Sequence, residues 1–381
     1  MSKLEKLIQQ YCPDGVEYYK IKDVYKRIKG TPITAGKMKE IATPDGSVRI
    51  FAGGKTVINA NEKDIPNANI TRVPAVLVQS RGVIDAVYYD KPFTFKNEMW
   101  AYTTFNQKSV KYLYYILKSN IQTFRDAASG MGALPQISLC VTEEFEIPVP
   151  PLPVQEEIVR VLDAFTELQA ELQAELQKRK QQYNFYRDNL LNFKDINRGG
   201  QEIKWMKLGK MCSVLRGKRL TKSQLSSYGR YKVFHGGIEP IGRYDECNRE
   251  ANTTMVINVG ASAGTVGFSK DMFWSSDGCF CLSHTPLFSG RYLYYYLQTR
   301  EPYLMSRVRR AGIPTLDGKV LEELIIPVPP LAEQNRIVAI LDRFDTLTTD
   351  LTQGLPAEIE KRRQQYEFYR DKLLTFKRKE A

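Results

Sequence analysis

Apolar side chains recur at alternating steps of four and three residues along a stretch in the middle of the chain. The stepped positions are Ile158, Leu162, Phe165, Gln169, Leu172, Leu176, Arg179, Tyr183, Tyr186 and Leu190. Their mean spacing of about 3.5 residues is typical of the seam of a left-handed coiled coil. The pattern predicts a helix of roughly 34 residues from Ile158 to Leu191, hence about 50 Å long. Because proline disfavours helix in the residue before it, we expect the helical segment to begin just after Pro153.

A second copy of this pattern lies near the C-terminus. IPVPPLPVQEEIVRVLDAF, from Ile147, returns as IPVPPLAEQNRIVAILDRF from Ile326. KRKQQYNFYRDNLLNFK, from Lys178, returns as KRRQQYEFYRDKLLTFK from Lys361. Self-similarity at about half the chain length indicates a tandem duplication.

The second copy contains an insertion. Corresponding residues are 179 apart at the first motif (326 − 147) and 183 apart at the second (361 − 178), which leaves four extra residues near Thr352–Pro356. Four inserted residues unwind a coiled coil locally, and Gly354 and Pro356 favour a helix end. We therefore expect a helix interruption within 350–360.

The segments outside the long helices contain short runs of β-branched and aromatic residues separated by Gly and Pro. They predict globular domains with several short strands and one helix each. The expected strands are 48–52, 75–79, 84–89, 231–235, 254–259 and 278–282, and the expected helices are 110–124 and 291–299. The fold class is thus α+β, with two globular α/β domains in tandem, separated by two long helices packed as an antiparallel coiled coil in a pseudo-twofold repeat.

The pattern divides the chain into four parts. The globes are expected at 1–150 and 196–329, and the helical spacers at 151–195 and 330–381. A short helix at 3–10 leads into the first globe as the first long helix leads into the second. We therefore expect it to lie near the end of the C-terminal helix.

The net charge indicates the class of partner, and the cysteines indicate the cellular compartment. The formal net charge is +12 and the isoelectric point about 9.2. This excess of cations favours a polyanionic partner, nucleic acid first. The six cysteines form no C-x-x-C pair, so we expect no zinc site, and Cys279-Phe-Cys281 is typical of a half-buried strand. Reduced cysteines and the lack of a signal-peptide or membrane-spanning pattern favour the cytoplasm.

No constellation typical of catalysis is found. The sequence has neither a phosphate-binding G-x-x-x-x-G-K-[ST] motif nor a G-x-S-x-G nucleophile elbow. The glycine-rich run from Gly260 to Gly267 lacks the lysine and the helix of a nucleotide site, so we expect a hairpin turn or a loop that lets backbone approach DNA. We predict no catalytic residue, no metal ion and no cofactor, hence a binding protein.

Basic and polar side chains near turns of both globes are the candidates for DNA contact. Cations suit phosphates, and forked donors such as Arg and Gln suit base edges. In the first globe the candidates are Lys29, Lys37, Lys39, Arg49, Lys55, Gln79, Arg81 and Lys96. In the second they are Arg216, Lys218, Arg219, Lys222, Arg230, His235, Arg243, Ser262, Arg307, Arg309 and Arg310.

The repeated motif PxPPLxxQxxI, followed by a long helix ending in QQYxFYRDxLL, resembles the DNA-specificity (S) subunit of type I restriction-modification systems. The resemblance covers essentially the whole chain, and Ile147–Lys194 and Ile326–Lys377 carry most of it. It implies two target recognition domains, each reading one half of an asymmetric bipartite site of double-stranded DNA. It also implies two docked methyltransferase subunits, to which restriction subunits can add, and no catalytic activity in the chain itself. S-adenosylmethionine would then be bound by the methyltransferase.

This resemblance assigns roles to residues of the long helices. The predicted seam consists of Ile158, Leu162, Phe165, Leu172, Leu176, Ile337, Leu341, Phe344 and Ile359. The aromatic residues Tyr183, Phe185, Tyr186, Tyr366, Phe368 and Tyr369 exceed what one seam can bury. Phe185 and Phe368 fall outside the seam, so these sets either dock the methyltransferase or pack against the globes.

Three alternatives remain open from the sequence. The chain could be a DNA-binding regulator that acts alone, a coiled-coil adaptor without a DNA role, or a fused enzyme. The basic charge and the diverged globes disfavour the adaptor, and the lack of an N-P-P-Y methyltransferase motif disfavours the enzyme.

Overall fold

The computed structural model describes residues 2–129, 134–193, 203–283 and 285–380. The helices are α1 Lys3–Tyr11, α2 Ile21–Val24, α3 Ala35–Ile41, α4 Gln107–Ser119, α5 Ile121–Asp126, α6 Leu139–Glu143, α7 Leu152–Leu191, α8 Gly290–Gln298, α9 Glu301–Ser306, α10 Gly318–Glu322, α11 Leu331–Thr349 and α12 Leu355–Leu374. The strands are β1 Tyr18–Lys20, β2 Lys26–Ile28, β3 Val48–Phe51, β4 Val57–Ala60, β5 Ala75–Gln79, β6 Asp85–Tyr89, β7 Phe93–Phe95, β8 Trp100–Thr103, β9 Glu146–Pro148, β10 Lys204–Lys207, β11 Val214–Arg216, β12 Tyr231–Phe234, β13 Pro240–Tyr244, β14 Thr253–Ile257, β15 Val266–Ser269, β16 Phe273–Ser275, β17 Cys279–Leu282 and β18 Ile325–Val328.

The chain divides into two compact units. Unit 1 comprises Met1–Glu171 and Ile359–Ala381, and unit 2 comprises Leu172–Glu358. Each unit contains one of the two globes, and the long helices α7 and α12 contribute residues to both. Each unit is described by itself below.

The globe of unit 1 is built from three sheets. A four-stranded antiparallel sheet has the order β2-β8-β5-β6. A three-stranded sheet has the order β4-β3-β7, with β3 parallel to β7. Strands β1 and β9 form an antiparallel pair. Strand β5 is buried on both faces, since Val76 and Val78 pack with α4 while Ala75 and Leu77 pack with Phe93 of the second sheet.

The globe of unit 2 has the same topology. Its sheets have the orders β11-β17-β14-β15, β13-β12-β16 and β10-β18, and every pairing has the same direction as its counterpart in unit 1. This agreement confirms the duplication and the α+β class. The glycine-rich run is part of the predicted hairpin, because it connects the antiparallel pair β14 and β15.

The Cys279–Cys281 strand was expected to be half-buried, and this expectation is wrong. All four residues of β17 are buried. The strand lies between β11 and β14, so Phe280 on one face belongs to the core that includes α8, while Cys279 and Cys281 on the other belong to the core that includes Phe273.

Two predicted helix boundaries also need correction. Helix α7 begins at Leu152 rather than after Pro153. Proline is tolerated there because backbone N–H groups in the first turn of a helix have no acceptor within the helix, so the missing N–H of proline costs no hydrogen bond. Helix α7 has 40 residues and is therefore about 60 Å long. The helix expected over 110–124 is two helices, since Asn120 leaves the helical conformation and its Nδ2 donates to the carbonyl of Ile116 at 2.9 Å.

The predicted interruption of the second long helix is confirmed. Helix α11 ends at Thr349 and α12 begins at Leu355. Between them, Asp350 Oδ1 accepts hydrogen bonds from the backbone N–H and the hydroxyl of Thr352, at 2.7 and 2.6 Å. A Cβ atom at Gly354 would lie 2.5 Å from the carbonyl oxygen of Thr346, so this turn requires glycine.

The predicted proximity of the N-terminal helix to the end of the C-terminal helix is confirmed within unit 1. The backbone N–H of Val16 donates to the carbonyl of Lys377 at 2.9 Å, and Lys379 N–H donates to Val16 at 3.0 Å. The hydroxyl of Tyr18 donates to the carbonyl of Phe376 at 2.9 Å.

Candidate nucleic-acid interface

Four loops of the first globe meet beyond the parallel strands β3 and β7. Gly53 N–H, after β3, donates to Glu98 Oε1 at 3.4 Å. The hydroxyl of Ser80, after β5, donates to the carbonyl of Glu98. Gly82 N–H donates to the carbonyl of Pro135 at 2.8 Å. We call residues 52–55, 79–82, 96–98 and 134–137 the first loop cluster.

The corresponding loops of the second globe meet in the same way. Asn258 N–H donates to the carbonyl of Gly278 at 3.0 Å, and Gly260 N–H donates to that of Pro314 at 2.9 Å. Gly278 must be glycine, because a Cβ atom there would lie 2.7 Å from the backbone nitrogen of Gly236. We call residues 235–237, 258–262, 275–278 and 309–316 the second loop cluster.

The loop clusters bring together part of the predicted DNA-contact set. The first contains Gln79, Arg81 and Lys96; the second contains His235, Ser262, Arg309 and Arg310, and Arg216 reaches it by donating to the carbonyl of Asp277 at 3.3 Å. Arg81, Arg309 and Arg310 are exposed, whereas Gln79 is buried. The side chain of Lys55 lies outside the part of the chain that the structure describes.

The other predicted DNA-contact residues lie outside these clusters, and several have partners within their globe. Lys37 pairs with Glu40 at 2.7 Å. Arg49 donates to Asn59 Oδ1 at 3.2 Å. Arg243 donates to the carbonyl of Arg230 at 2.9 Å.

The remaining members of this set are exposed. They are Lys29, Lys39, Lys218, Arg219, Lys222, Arg230 and Arg307. Arg230 and Arg307 lie over the rings of Tyr231 and Tyr303. Lys218 borders the second loop cluster, because its backbone N–H donates to the carbonyl of Ser275 at 2.9 Å.

One carboxylate in each loop cluster was missed by sequence reasoning. Glu98 lies in the loop after β7 and Asp277 in the loop after β16, the corresponding strand of the second globe, and a pattern of cations near turns does not include them. Burial opposes ionisation of Glu98, but hydrogen bonds from Lys96 and from backbone N–H groups keep its pKa below the ordinary value. Asp277 Oδ1 lies 3.3 Å from His235 Nδ1. A carboxylate at a base-reading surface can accept a hydrogen bond from cytosine.

A buried hydrogen-bond network joins each globe to the start of its long helix. In unit 1, Gln155 Nε2 donates to the carbonyl of Pro150 at 2.7 Å, and its Oε1 accepts from the hydroxyl of Ser109 at 2.6 Å. In unit 2, Gln334 Nε2 donates to the carbonyl of Pro329 at 2.9 Å, and its Oε1 accepts from Ser289 N–H at 3.1 Å. The glutamine of the PPLxxQ motif therefore fixes the helix start to the globe.

The structure places the predicted seam residues in three environments. Ile158 and Leu162 lie in the core of the first globe, and Ile337 and Leu341 in that of the second. Phe165 stacks on Tyr369 with ring centroids 5.6 Å apart in unit 1, and Phe344 stacks on Tyr186 at 5.4 Å in unit 2. Leu172, Leu176 and Ile359 are half-buried.

The six aromatic residues proposed for docking also fall into two groups, those packed within a unit and those left exposed. Tyr183 packs on the second globe, where its hydroxyl donates to Gln298 Oε1 at 2.9 Å, and Tyr366 packs against the core of the first. Tyr186 and Tyr369 take part in the stacks described above. Phe185 and Phe368 remain 65% and 64% exposed, so among these six residues they have the rings most available to a partner.

The described residues offer neither a metal-binding cluster nor a membrane-spanning helix. No group of three or more His, Cys, Asp or Glu side chains there could hold a metal ion. Within the same ranges, none of the helices combines the length and apolar character needed to cross a membrane.

Comparison with known proteins places the chain in a family. The family model for the type I restriction modification DNA specificity domain matches residues 13–179 and 201–361. The chain is 34% identical over 304 residues to the Escherichia coli type I restriction enzyme EcoR124I/EcoR124II specificity subunit, covering 72% of this chain and 73% of that protein. It is 33% identical over 238 residues to a putative type I specificity subunit of Mycoplasma pneumoniae, covering 60% of this chain and 92% of that protein.

Solved structures share the fold. The crystal structure of a type I restriction-modification S subunit from M. genitalium superposes with a TM-score of 0.65 at 20% sequence identity, covering 94% of this chain and 95% of that chain. The two matched segments of the family model fall on the two globes with the starts of their long helices, which agrees with the duplicated topology. The chain therefore belongs to the family of type I restriction-modification DNA specificity subunits.

Proposed function

We propose that this chain supplies DNA recognition to a type I restriction-modification complex, with each globe reading one half of an asymmetric bipartite site. The observation that carries the proposal is the pair of loop clusters. Both have the same backbone hydrogen-bond frame, yet they present different side chains at matching positions: Arg81 bridges Gln136 in the first, where Val259 bridges Thr315 in the second. Two similar frames with unlike surfaces suit two unlike half-sites.

Exposed cations at the loop clusters suit the phosphate backbone of duplex DNA. Arg81, Arg309 and Arg310 can neutralise phosphates or read guanine through paired N–H donors. The basic net charge of +12 supports the same partner.

The long helices would set the gap between the half-sites. Half-sites on one face of B-DNA lie about 34 Å apart or a multiple of this distance. Helix α7 follows the first globe and precedes the second in sequence, and about 60 Å of rigid helix suits such a spacing.

Two methyltransferase subunits are the partners we propose for the long helices, with restriction subunits joining them. Exposed aromatic rings such as Phe185 and Phe368 suit protein interfaces, where aromatic anchors contribute most of the binding energy. S-adenosylmethionine would be held by the methyltransferase, and this chain would need no cofactor. The complex would act in the cytoplasm, which suits the six unpaired cysteines.

The test is to express the chain with and without the methyltransferase subunit of its own system and to map methylated DNA. We expect methylation at one bipartite sequence only when both subunits are present. Replacing residues 16–150 with a globe from another specificity subunit should change one half of that sequence, and replacing 196–329 should change the other. Specific binding by the chain alone with no effect on methylation would support a stand-alone regulator instead.

A further inference from the structure

Each loop cluster exposes one aliphatic side chain at the same position. Leu134 is 63% exposed and Ile313 is 69% exposed, and a proline follows each of them. Their numbers differ by 179 (313 − 134), the offset of the first repeated motif. A single exposed aliphatic residue is ordinary at a protein surface. Its recurrence at the matching place in two diverged globes indicates a shared role.

The backbone holds Ile313 in this exposed position. Arg309 and Thr315 exchange two backbone hydrogen bonds of 2.9 and 3.0 Å, and the hydroxyl of Thr315 donates to the carbonyl of Ile313 at 2.9 Å. Leu316, three residues after Ile313, is buried and anchors the loop. Gly312 has a φ of +80°, which favours glycine at the turn.

The backbone that follows Leu134 is anchored like the backbone that follows Ile313. Ser129 and Gln136 exchange backbone hydrogen bonds of 3.0 and 3.2 Å, and buried Ile137 is the anchor three residues after Leu134. In both globes the backbone just after the aliphatic residue is hydrogen-bonded, and the aliphatic side chain itself is exposed. A side chain beside anchored backbone loses less conformational entropy on entering a partner than one on a free segment.

The charged residues near Leu134 and Ile313 indicate which partner these two side chains contact. Arg309 and Arg310 are exposed and precede Ile313 by four and three residues, and exposed Arg81 forms a backbone bridge with Gln136 beside Leu134. An apolar protein surface would match the aliphatic side chain but not these cations. Duplex DNA offers both a polyanionic backbone and the apolar faces of its bases.

We propose that Ile313 and Leu134 are apolar wedges, each inserted between neighbouring base pairs of the half-site that its globe reads. The proposal rests on the proposed function and deepens it by naming a specificity-determining residue in each globe. Leucine, isoleucine and proline side chains can partly unstack a base step and kink the duplex. Pyrimidine–purine steps unstack most easily, so each half-site should contain such a step at the wedge position.

The experiment uses the complex with its methyltransferase at saturating concentration on its mapped site. 2-Aminopurine placed at successive positions of each half-site reports unstacking as increased fluorescence. We expect Ile313→Ser to abolish the signal at one step of one half-site, and Leu134→Ser to abolish it in the other. Each change should weaken binding about tenfold or more without altering the salt dependence, whereas Arg309→Ala should lower the slope of log affinity against log salt by about one.

Controls separate the wedge from other events. Leu351→Ser removes another exposed aliphatic residue of unit 2, outside the loop clusters, and should change neither fluorescence nor affinity. A base extruded by the methyltransferase should still fluoresce in all three serine variants. A wild-type complex that shows no unstacked step apart from that base would overturn the proposal. So would an affinity loss that uracil in place of thymine reproduces, since this would indicate contact with a thymine methyl group. If the wild-type complex has no specific site at all, the proposed function itself fails.

Discussion

Tyr295 donates its hydroxyl hydrogen to Asp342 Oδ1 at 2.6 Å, which ties helix α8 of the second globe to the long helix α11. Arg291 donates to the same oxygen at 2.7 Å and has only 14% of its side chain exposed. Tyr115 and Asp163 form the equivalent bond in unit 1, with Lys111 2.8 Å from the carboxylate. In each unit, therefore, a tyrosine hydroxyl and a cationic side chain of the globe bind one aspartate of the long helix.

Loss of the Tyr295–Asp342 hydrogen bond should destabilise unit 2. We expect Tyr295→Phe to lower the free energy of unfolding by about 1–2 kcal/mol, because Asp342 loses a buried partner while the ring still packs. Urea denaturation measures the change. Tyr228→Phe is the matched control, since Tyr228 is 96% exposed and the substitution should have no effect. Equal stability of the two variants would contradict this role.

Glu157 should make unit 1 sensitive to acid. Its buried carboxylate pairs with Arg160 at 2.6 Å and Lys3 at 2.8 Å, and these partners lower its pKa to about 2 despite burial. A depressed pKa contributes stability above the unfolded value of about 4.5, and this contribution is lost as pH falls toward 2. Because Lys3 and Arg160 are themselves exposed, we expect a contribution of about 0.5–1 kcal/mol.

The measurement compares wild type with Glu157→Gln by urea denaturation at pH 6 and at pH 3. The variant should be less stable at pH 6, and the difference should shrink at pH 3. Other carboxylates titrate equally in both proteins, so their effects cancel. A difference that does not depend on pH would contradict the assignment.

The exposed aromatic rings of the long helices should matter for assembly and not for folding. We expect Phe185→Ala with Phe368→Ala to reduce co-purification of the methyltransferase, since truncating an aromatic anchor at an interface costs about 2 kcal/mol or more. The thermal unfolding of the chain alone should be unchanged. Phe105→Ala is a control, because that ring is fully exposed on a loop of the first globe. Undiminished co-purification of the double variant would rule out docking at these rings.

The turn between α11 and α12 should not tolerate a side chain at Gly354. A methyl group there would lie 2.5 Å from the carbonyl oxygen of Thr346 and 2.8 Å from that of Asp350. We expect Gly354→Ala to destabilise unit 2 by about 1–3 kcal/mol in urea denaturation. The neighbouring Gln353→Ala should be close to neutral, because Gln353 is exposed. A Gly354→Ala protein as stable as this control would show that the turn can relax.

Local features of the fold were predictable from the sequence because local signals specify them. The heptad spacing predicted α7, and Gly354 with Pro356 predicted the end of α11. The strand expected at 75–79 has those bounds in the structure. Parallel pairing of β3 with β7 was not predictable, since no short-range signal records which distant strands become neighbours.

The candidate interface was harder to predict for the same reason. Arg81 and Arg309 were chosen for their charge and their turns, and both lie in the loop clusters. Arg49 had the same signals, but a partner ten residues away in sequence, Asn59, accepts its hydrogen bond on the paired strand. Glu98 and Asp277 are anionic, so a search for cations that contact phosphate does not include them.

The loop clusters are held by main-chain atoms, as in the bonds from Gly82 to Pro135 and from Gly260 to Pro314. Main-chain hydrogen bonds survive most substitutions of the side chains around them, so the surface can mutate while the scaffold persists. New target sequences could arise by a few point mutations without an intermediate that fails to fold.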